Sequence, residues 1–146
     1  MRLSTKGRYG LRIMLELAMR HGEGPVMMST LAACQGVSRK YLHSLLTSLR
    51  AAGLVRSVRG AGGGYVLARS PADIRADEVV EALEGSLAPV ECVQDATICD
   101  RVDKCAARDV WLELAHAMKR VLSGVNLAEL AQRQSEKHAE GLMYHI

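Results

Sequence analysis

The sequence predicts a mainly α-helical fold with a small β-hairpin wing: a winged helix-turn-helix unit followed by a long C-terminal helix. Three observations carry that prediction. Leu42, Leu45, Leu46 and Leu49 recur at helical spacing and leave the opposite face to Arg39, Lys40, His43, Ser44, Thr47 and Arg50. Gly60, Gly62, Gly63 and Gly64 follow soon after, between two short apolar arms. Basic residues gather around both features, residues 1–69 holding 11 Lys and Arg against 2 Asp and Glu.

Taken in order, the first helix is predicted over Tyr9 to His21, with Gly10, Ile13, Met14, Leu17 and Ala18 on one face and Leu11 and Leu15 widening it. Its start is basic, with Arg2, Lys6 and Arg8, which opposes the helix dipole. A polyanion facing that end would offset the cost; a solvated basic terminus is the plainer alternative. Gly22, Gly24 and Pro25 end the helix. Ser29 is expected to cap a short second helix carrying Leu31, Ala32 and Cys34, with Cys34 packed in the core, as free cysteines readily are. Gly36 turns the chain into the third helix, which Ser38 caps and Gly53 stops. A short helix, a glycine turn and a longer helix with a polar outer face make the helix-turn-helix arrangement.

After Gly53 the period changes. Leu54 to Val58 reads as a strand, Gly60 to Gly64 as a turn and Tyr65 to Leu67 as the returning strand, with Arg56 and Arg59 on the first arm. The glycines remove side chains that would hold the backbone away from a partner surface, and Arg59 beside them suits a narrow minor groove. A nucleotide cradle is disfavoured, because the spacing is neither GxGxxG nor a P-loop. Ser70 and Pro71 open a further helical stretch with Val79, Val80 and Leu83 inward, Glu78, Glu81 and Glu84 outward, and Gly85 closing it. A covering role without chemistry is expected there.

The formal charge of +3 hides an asymmetry, +9 over residues 1–69 and −6 over residues 70–146, where 8 basic residues face 14 acidic ones. A basic first half is the electrostatic footprint of a polyanion partner, and beside a helix-turn-helix and wing the partner expected is double-stranded DNA. The opening MRLSTKGRYG is polar, and the apolar stretch after it is broken by Arg12, Glu16 and Arg20, so neither a signal peptide nor a membrane partner is expected. A cytoplasmic location follows, in which four cysteines are thiols or metal ligands before they are disulfides. No Ser-His-Asp or Cys-His arrangement is recognisable, and the histidines at 21, 43, 116, 138 and 145 lack ligand spacing such as HExxH; no enzyme is expected.

Residues 86–105 read as a cysteine-bearing loop. Its segment PVECVQDATICDRVDKC lacks helical periodicity and sets Cys92, Cys99 and Cys105 with six and five residues between them. Thiolates are soft ligands, and the spacing leaves iron-sulfur, zinc and a thiol switch open. Cys105 falls at the start of the longest helix, running to about Leu122, where free amides favour a thiolate. Trp111, Leu114, Ala115, Met118, Val121 and Leu122 give that helix an apolar stripe too wide for a small chain to cover, so a second copy is expected on it. A twofold homodimer would set two third helices about 34 Å apart and predicts a palindromic site. Gly124 ends the helix, and Asn126 with Glu129 reads as a capping box for a last short helix through Leu127 and Leu130. The expected organisation is a DNA-binding domain over 1–85, the loop over 86–105, dimerisation helices over 106–134, and a flexible tail over 135–146 in which His138 and His145 are solvated.

On the opening MRLSTKGRYG, the stretch GLVRSVRGAGGGYVL, the three loop cysteines and Trp111, the sequence resembles the Rrf2 family of winged-helix transcription regulators, and within it the IscR-like iron-sulfur-assembly branch. The resemblance covers about residues 1–134. It implies homodimers joined through the long helix and DNA reading by Ser38, Arg39, Lys40, Tyr41, His43 and Arg59. It also implies an iron-sulfur cluster, 2Fe-2S ahead of 4Fe-4S, on Cys92, Cys99 and Cys105, sensing iron, redox or nitric oxide state. Three positions depart from the pattern. Arg108 stands where the assembly regulators have a histidine ligand, Arg8 where nitric-oxide-sensing relatives have an aspartate, and His43 where the assembly regulators have a glutamate. A guanidinium stays protonated and does not ligate iron, so the fourth ligand is open.

Overall fold

The computed structural model describes residues 2–145. Helix α1 (Thr5–Met19) starts four residues earlier than its apolar pattern suggests, because Ser4 is its N-cap, the hydroxyl accepting from the amide of Lys6. Helix α2 (Met28–Gln35) starts after Met27, so Ser29 lies inside the first turn and caps nothing. Gly36, at φ 64°, turns the chain into α3 (Arg39–Ala51), where the Ser38 hydroxyl accepts from the amide of Tyr41 at 3.1 Å. Gly53 takes the left-handed conformation just past the helix end, at φ 73°.

Ile13, Met14, Leu31, Leu42 and Leu49 are fully buried, and the four leucines of α3 all face this core. Each such side chain contributes about 1.5–3 kcal/mol relative to an exposed one, so the amphipathic pattern of α1 and α3 is what closes the unit. Strands β1 (Val55–Val58) and β2 (Gly64–Leu67) pair antiparallel, Val55 opposite Leu67 and Val58 opposite Gly64. Val26 bridges to Tyr65 on the far side of β2, with both amide-to-carbonyl distances 2.9 Å. Gly64 is required at that junction, since a Cβ there would overlap the Val26 carbonyl.

A 3-10 turn at Pro71–Asp73 leads to α4 (Ala76–Glu84), which packs mainly on α1. The loop after it is a series of short turns: α5 (Glu91–Gln94) and single 3-10 turns at Ala96–Ile98 and Val102–Lys104. Helix α6 (Ala106–Ser123) follows, with Cys105 at its N-cap position. None of its residues is buried within the chain, and Val110 and Val121 are 58% and 72% exposed.

Helix α7 (Leu127–Met143) is longer than the short last helix expected. Leu127 at its start is fully buried in the core, its amide donating to the Ile74 carbonyl at 2.9 Å. The expected tail is helical through Met143, because contacts four residues apart continue the helix past residue 134: Gln132 to Glu136, Gln134 to His138 and Ser135 back to the Ala131 carbonyl. Asn126 caps α7 by accepting from the Glu129 amide, but Glu129 answers the Asn126 side-chain amide, so this is not the full reciprocal box.

Candidate nucleic-acid interface and cysteine loop

Burial of the leucine stripe leaves Arg39, Lys40, His43, Ser44, Thr47 and Arg50 exposed on the opposite face of α3, with Ser38 exposed at its head. Arg56 and Arg59 are exposed on the neighbouring wing, and Arg50 reaches it by donating to the Ser57 hydroxyl at 3.4 Å. Reading helix and wing thus form one cationic surface with no acidic side chain between residues 38 and 59. Tyr41 differs from the other candidates. It is half-buried, its hydroxyl donates to Thr5 Oγ1 at 3.1 Å, and its ring meets Tyr9 edge-on at 6.0 Å. Arg8 and Arg12 stack over the Tyr9 ring, 5.0 and 5.4 Å from its centroid. Tyr41 therefore locks α3 to α1 while lying beside the candidate reading residues.

The acidic residues of α4 are more than a solvated face. Oε1 of Glu84 accepts from the Ser4 amide at 2.9 Å, the Ser4 hydroxyl at 2.6 Å and the Gly7 amide at 2.9 Å. A carboxylate thus occupies the head of α1, supplying the negative charge that the basic start of that helix lacks. Burial pushes the Glu84 carboxyl up, but the bonds from Ser4 and Gly7 outweigh it and hold the group below the ordinary glutamate value. Asp77 is the one charged side chain with no exposed surface among the described residues. Arg75 donates to it from Nε and Nη2 at 3.0 and 3.2 Å, and Lys119 of α6 lies 2.8 Å away. Burial again acts upward on the Asp77 carboxyl, and the Lys119 and Arg75 bonds prevail to leave it low. Lys119 also meets Glu81 at 2.7 Å, and these two bonds raise its own pKa.

These residues escaped the sequence reading, although a signal was present. Asp77 sits three residues before Val80, on the inward side of α4, and Lys119 lies between Ala115 and Leu122 at helical spacing. A charge embedded in an apolar stripe marks a buried pair.

Cys92 is half-buried in the first turn of α5, Cys105 is half-buried at the head of α6, and Cys99 is exposed between them; all are free thiols. The Arg108 Nε donates to the Cys92 carbonyl at 3.0 Å, tying α5 to the first turn of α6. In donor chemistry the three thiols fit an iron-sulfur cluster. They are not gathered, since no group of three metal-ligating side chains converges among the described residues. Arg108 holds a backbone carbonyl and cannot supply the fourth ligand. Cys34, expected in the core, is exposed on α2, its Sγ 3.7 Å from the Arg20 guanidinium. The apolar side of α2 is taken by Leu31 and Ala32, which leaves Cys34 on the outer side.

No helix among the described residues is long and apolar enough to cross a membrane. Comparison with known proteins gives a consistent outcome. The profile of the Rrf2 family, described as an iron-dependent transcriptional regulator, matches residues 3–133. The chain is 42% identical to the HTH-type transcriptional regulator CymR of Bacillus subtilis over the whole of both chains. It is 38% identical to the HTH-type transcriptional regulator IscR of Serratia proteamaculans, over 92% of this chain and 81% of that one. Among solved structures, CymR of B. subtilis, described as its global cysteine regulator, superposes with a TM-score of 0.78 at 44% identity, over 91% of this chain and 98% of that one. IscR of T. potens superposes with the same score at 39% identity, over 94% and 90%. These relatives are transcriptional regulators and not enzymes, and their fold is the winged helix-turn-helix seen here.

Proposed function

The chain belongs to the Rrf2 family of transcriptional regulators, and from that premise we propose that it grips a palindromic operator as a cytoplasmic homodimer, with affinity set by the state of Cys92, Cys99 and Cys105. Those three residues would hold an iron-sulfur cluster, 2Fe-2S in preference to 4Fe-4S, with a fourth ligand from outside the triad. When bound, such a cluster supplies charge and chemical lability at the head of α6. Ser38, Arg39, Lys40, His43 and Arg59 would contact DNA, with Tyr41 positioning the helix that carries them. Residues 1–85 are the DNA-binding unit in this reading and residues 86–105 its regulatory loop.

One observation supports the coupling above all: polar joints run unbroken from α6 to the reading helix. Lys119 ties α6 to Asp77 and Glu81 of α4, Glu84 ties α4 to Ser4 and Gly7 at the head of α1, and Thr5 ties α1 to Tyr41 of α3. A change of tilt where the cysteines meet α6 therefore has a route to the DNA face. Regulation follows only when the two tilts hold the ligand with different affinity.

The likeness to CymR of B. subtilis, described as that organism's global cysteine regulator, supports a second reading, in which the same loop carries a thiol-redox switch or a structural zinc. One experiment separates the readings. The protein is reconstituted anaerobically with iron and sulfide, its colour and metal content are recorded, and its affinity for its own upstream DNA is measured loaded and unloaded. Brown protein whose affinity changes on loading is the expected result. Colourless protein holding zinc, or affinity that changes only with thiol oxidation, selects the second reading, and no retention of any duplex at low salt overturns DNA binding itself.

A further inference from the structure

Helix α6 turns one patterned face away from its own chain. Val110, Leu114, Ala117 and Val121 recur four, three and four residues apart, the spacing of a seam between two helices. None of the four is buried. Arg108 and Lys119 make their bonds on the opposite side of the helix, to α5 and α4, so the seam faces outward. Glu113 and Arg120 are exposed along one edge of it, each one residue before a seam position, and they line an open groove with Val110, Leu114 and Ala117. Neither joins an ion pair among the described residues.

Resting on the homodimer proposed above, we infer that Glu113 and Arg120 fix the register of two antiparallel α6 helices and make this chain select a second copy of itself. Charge identifies the occupant. Residues flanking such a seam face one another across it and decide which helices pair and in which direction. With Val110 against the partner's Val121, and Leu114 against the smaller side chain of the partner's Ala117, Glu113 meets the partner's Arg120. The twofold axis then repeats that pair. Sliding one helix by a heptad in either direction sets Glu113 against the partner's Glu113 or Arg120 against the partner's Arg120. A parallel arrangement sets Glu113 against the partner's Met118 and leaves both charges unmatched. Only one arrangement opposes unlike charges, and it requires both residues on each chain.

The test makes Glu113→Lys and Arg120→Glu separately in the full chain, with circular dichroism establishing that each variant is folded. Sedimentation should show each variant dimer dissociating about tenfold more readily than that of the parent, the scale of two exposed ion pairs reversed. In an equal mixture of the two variants, both pairs of the mixed dimer again oppose unlike charges. Native mass spectrometry, with one variant isotopically labelled, should show the mixed dimer outnumbering the two homodimers together by about tenfold, against parity for random mixing, and the excess should shrink as salt is raised. A mixture at parity, or variants that dimerise as tightly as the parent, would overturn the pairing and leave the homodimer standing. A parent chain that sediments as a monomer would overturn the homodimer itself, and the pairing with it.

Discussion

Lys119 Nζ of α6 lies 2.8 Å from Oδ2 of Asp77 on α4, a carboxylate whose side chain has no exposed surface. A buried charge costs several kcal/mol of hydration, roughly, unless paired, so Asp77 commits α4 to keeping both cations. Only Lys119 comes from another helix; Arg75 is two residues away in the same segment.

Lys119→Met should therefore loosen α6 while leaving the core of the DNA-binding unit intact. Arg75 still holds Asp77, which limits the destabilisation to about 1–3 kcal/mol. Urea unfolding reads it, and the double variant with Asp77→Asn should be destabilised by less than the sum of the two single variants. Strict additivity would mean that the pair is not coupled.

Acid should find the same joints. Asp77 and Glu84 both have carboxyls held below their ordinary values in the folded chain. Such groups bind fewer protons folded than unfolded, so their stabilisation is complete above the ordinary carboxylate range and disappears as pH falls through the depressed folded values. Unfolding midpoints from neutral pH downward should fall less steeply in Asp77→Asn and Glu84→Gln than in the parent chain. Parallel curves would remove these residues from the acid response.

Glu84→Ala takes the carboxylate from the head of α1. Three donors are left without their common acceptor, and a destabilisation of about 1–2 kcal/mol is expected, on the scale of removing an N-cap. Hydrogen exchange of the amides of Ser4 and Gly7 should accelerate while that of the α3 core amides holds. Uniform acceleration would show instead that the whole unit had weakened.

Gly64→Ala places a methyl against the Val26 carbonyl. Backbone cannot yield as a side-chain tip does, so the bridge between Val26 and Tyr65 should part at a cost of about 1–3 kcal/mol. Loss of protection at the Val26 and Tyr65 amides is the readout, and a variant that keeps both amides protected contradicts the predicted overlap.

Lys40→Ala should weaken binding to every duplex alike and flatten the logarithmic salt dependence by about 0.9 for each phosphate no longer neutralised. Arg59→Ala should instead discriminate between sequences with narrow and wide minor grooves. Fluorescence anisotropy over a salt series separates the two, and identical behaviour of both variants would withdraw the distinct role given to the wing.

Local rules made much of this legible. The leucine stripe of α3, its Ser38 cap and the hairpin around the glycines are each dictated within a few residues, and the structure places them where the pattern does. The failures are tertiary. Nothing local shows that the head of α1 is closed by Glu84, nearly eighty residues on, and the charges set in the apolar stripes of α4 and α6 mark buried groups without saying that Asp77 and Lys119 meet each other. Cys34 misled for a related reason: a free cysteine is usually buried, but Leu31 and Ala32 had already filled the inner side of a helix of two turns. The polar composition after residue 134 suggested fraying, whereas α7 continues on contacts between its own turns.

The wing is pinned at its root and exposed at its tip. Val26 holds Tyr65 from one side while β1 holds it from the other, and the residues from Gly60 to Gly62 stand clear. Mechanically this is a cantilever with a short overhang. In the proposed dimer on DNA, such a root would fix where each wing begins and leave only the turn over residues 60–62 to meet the contour of the groove.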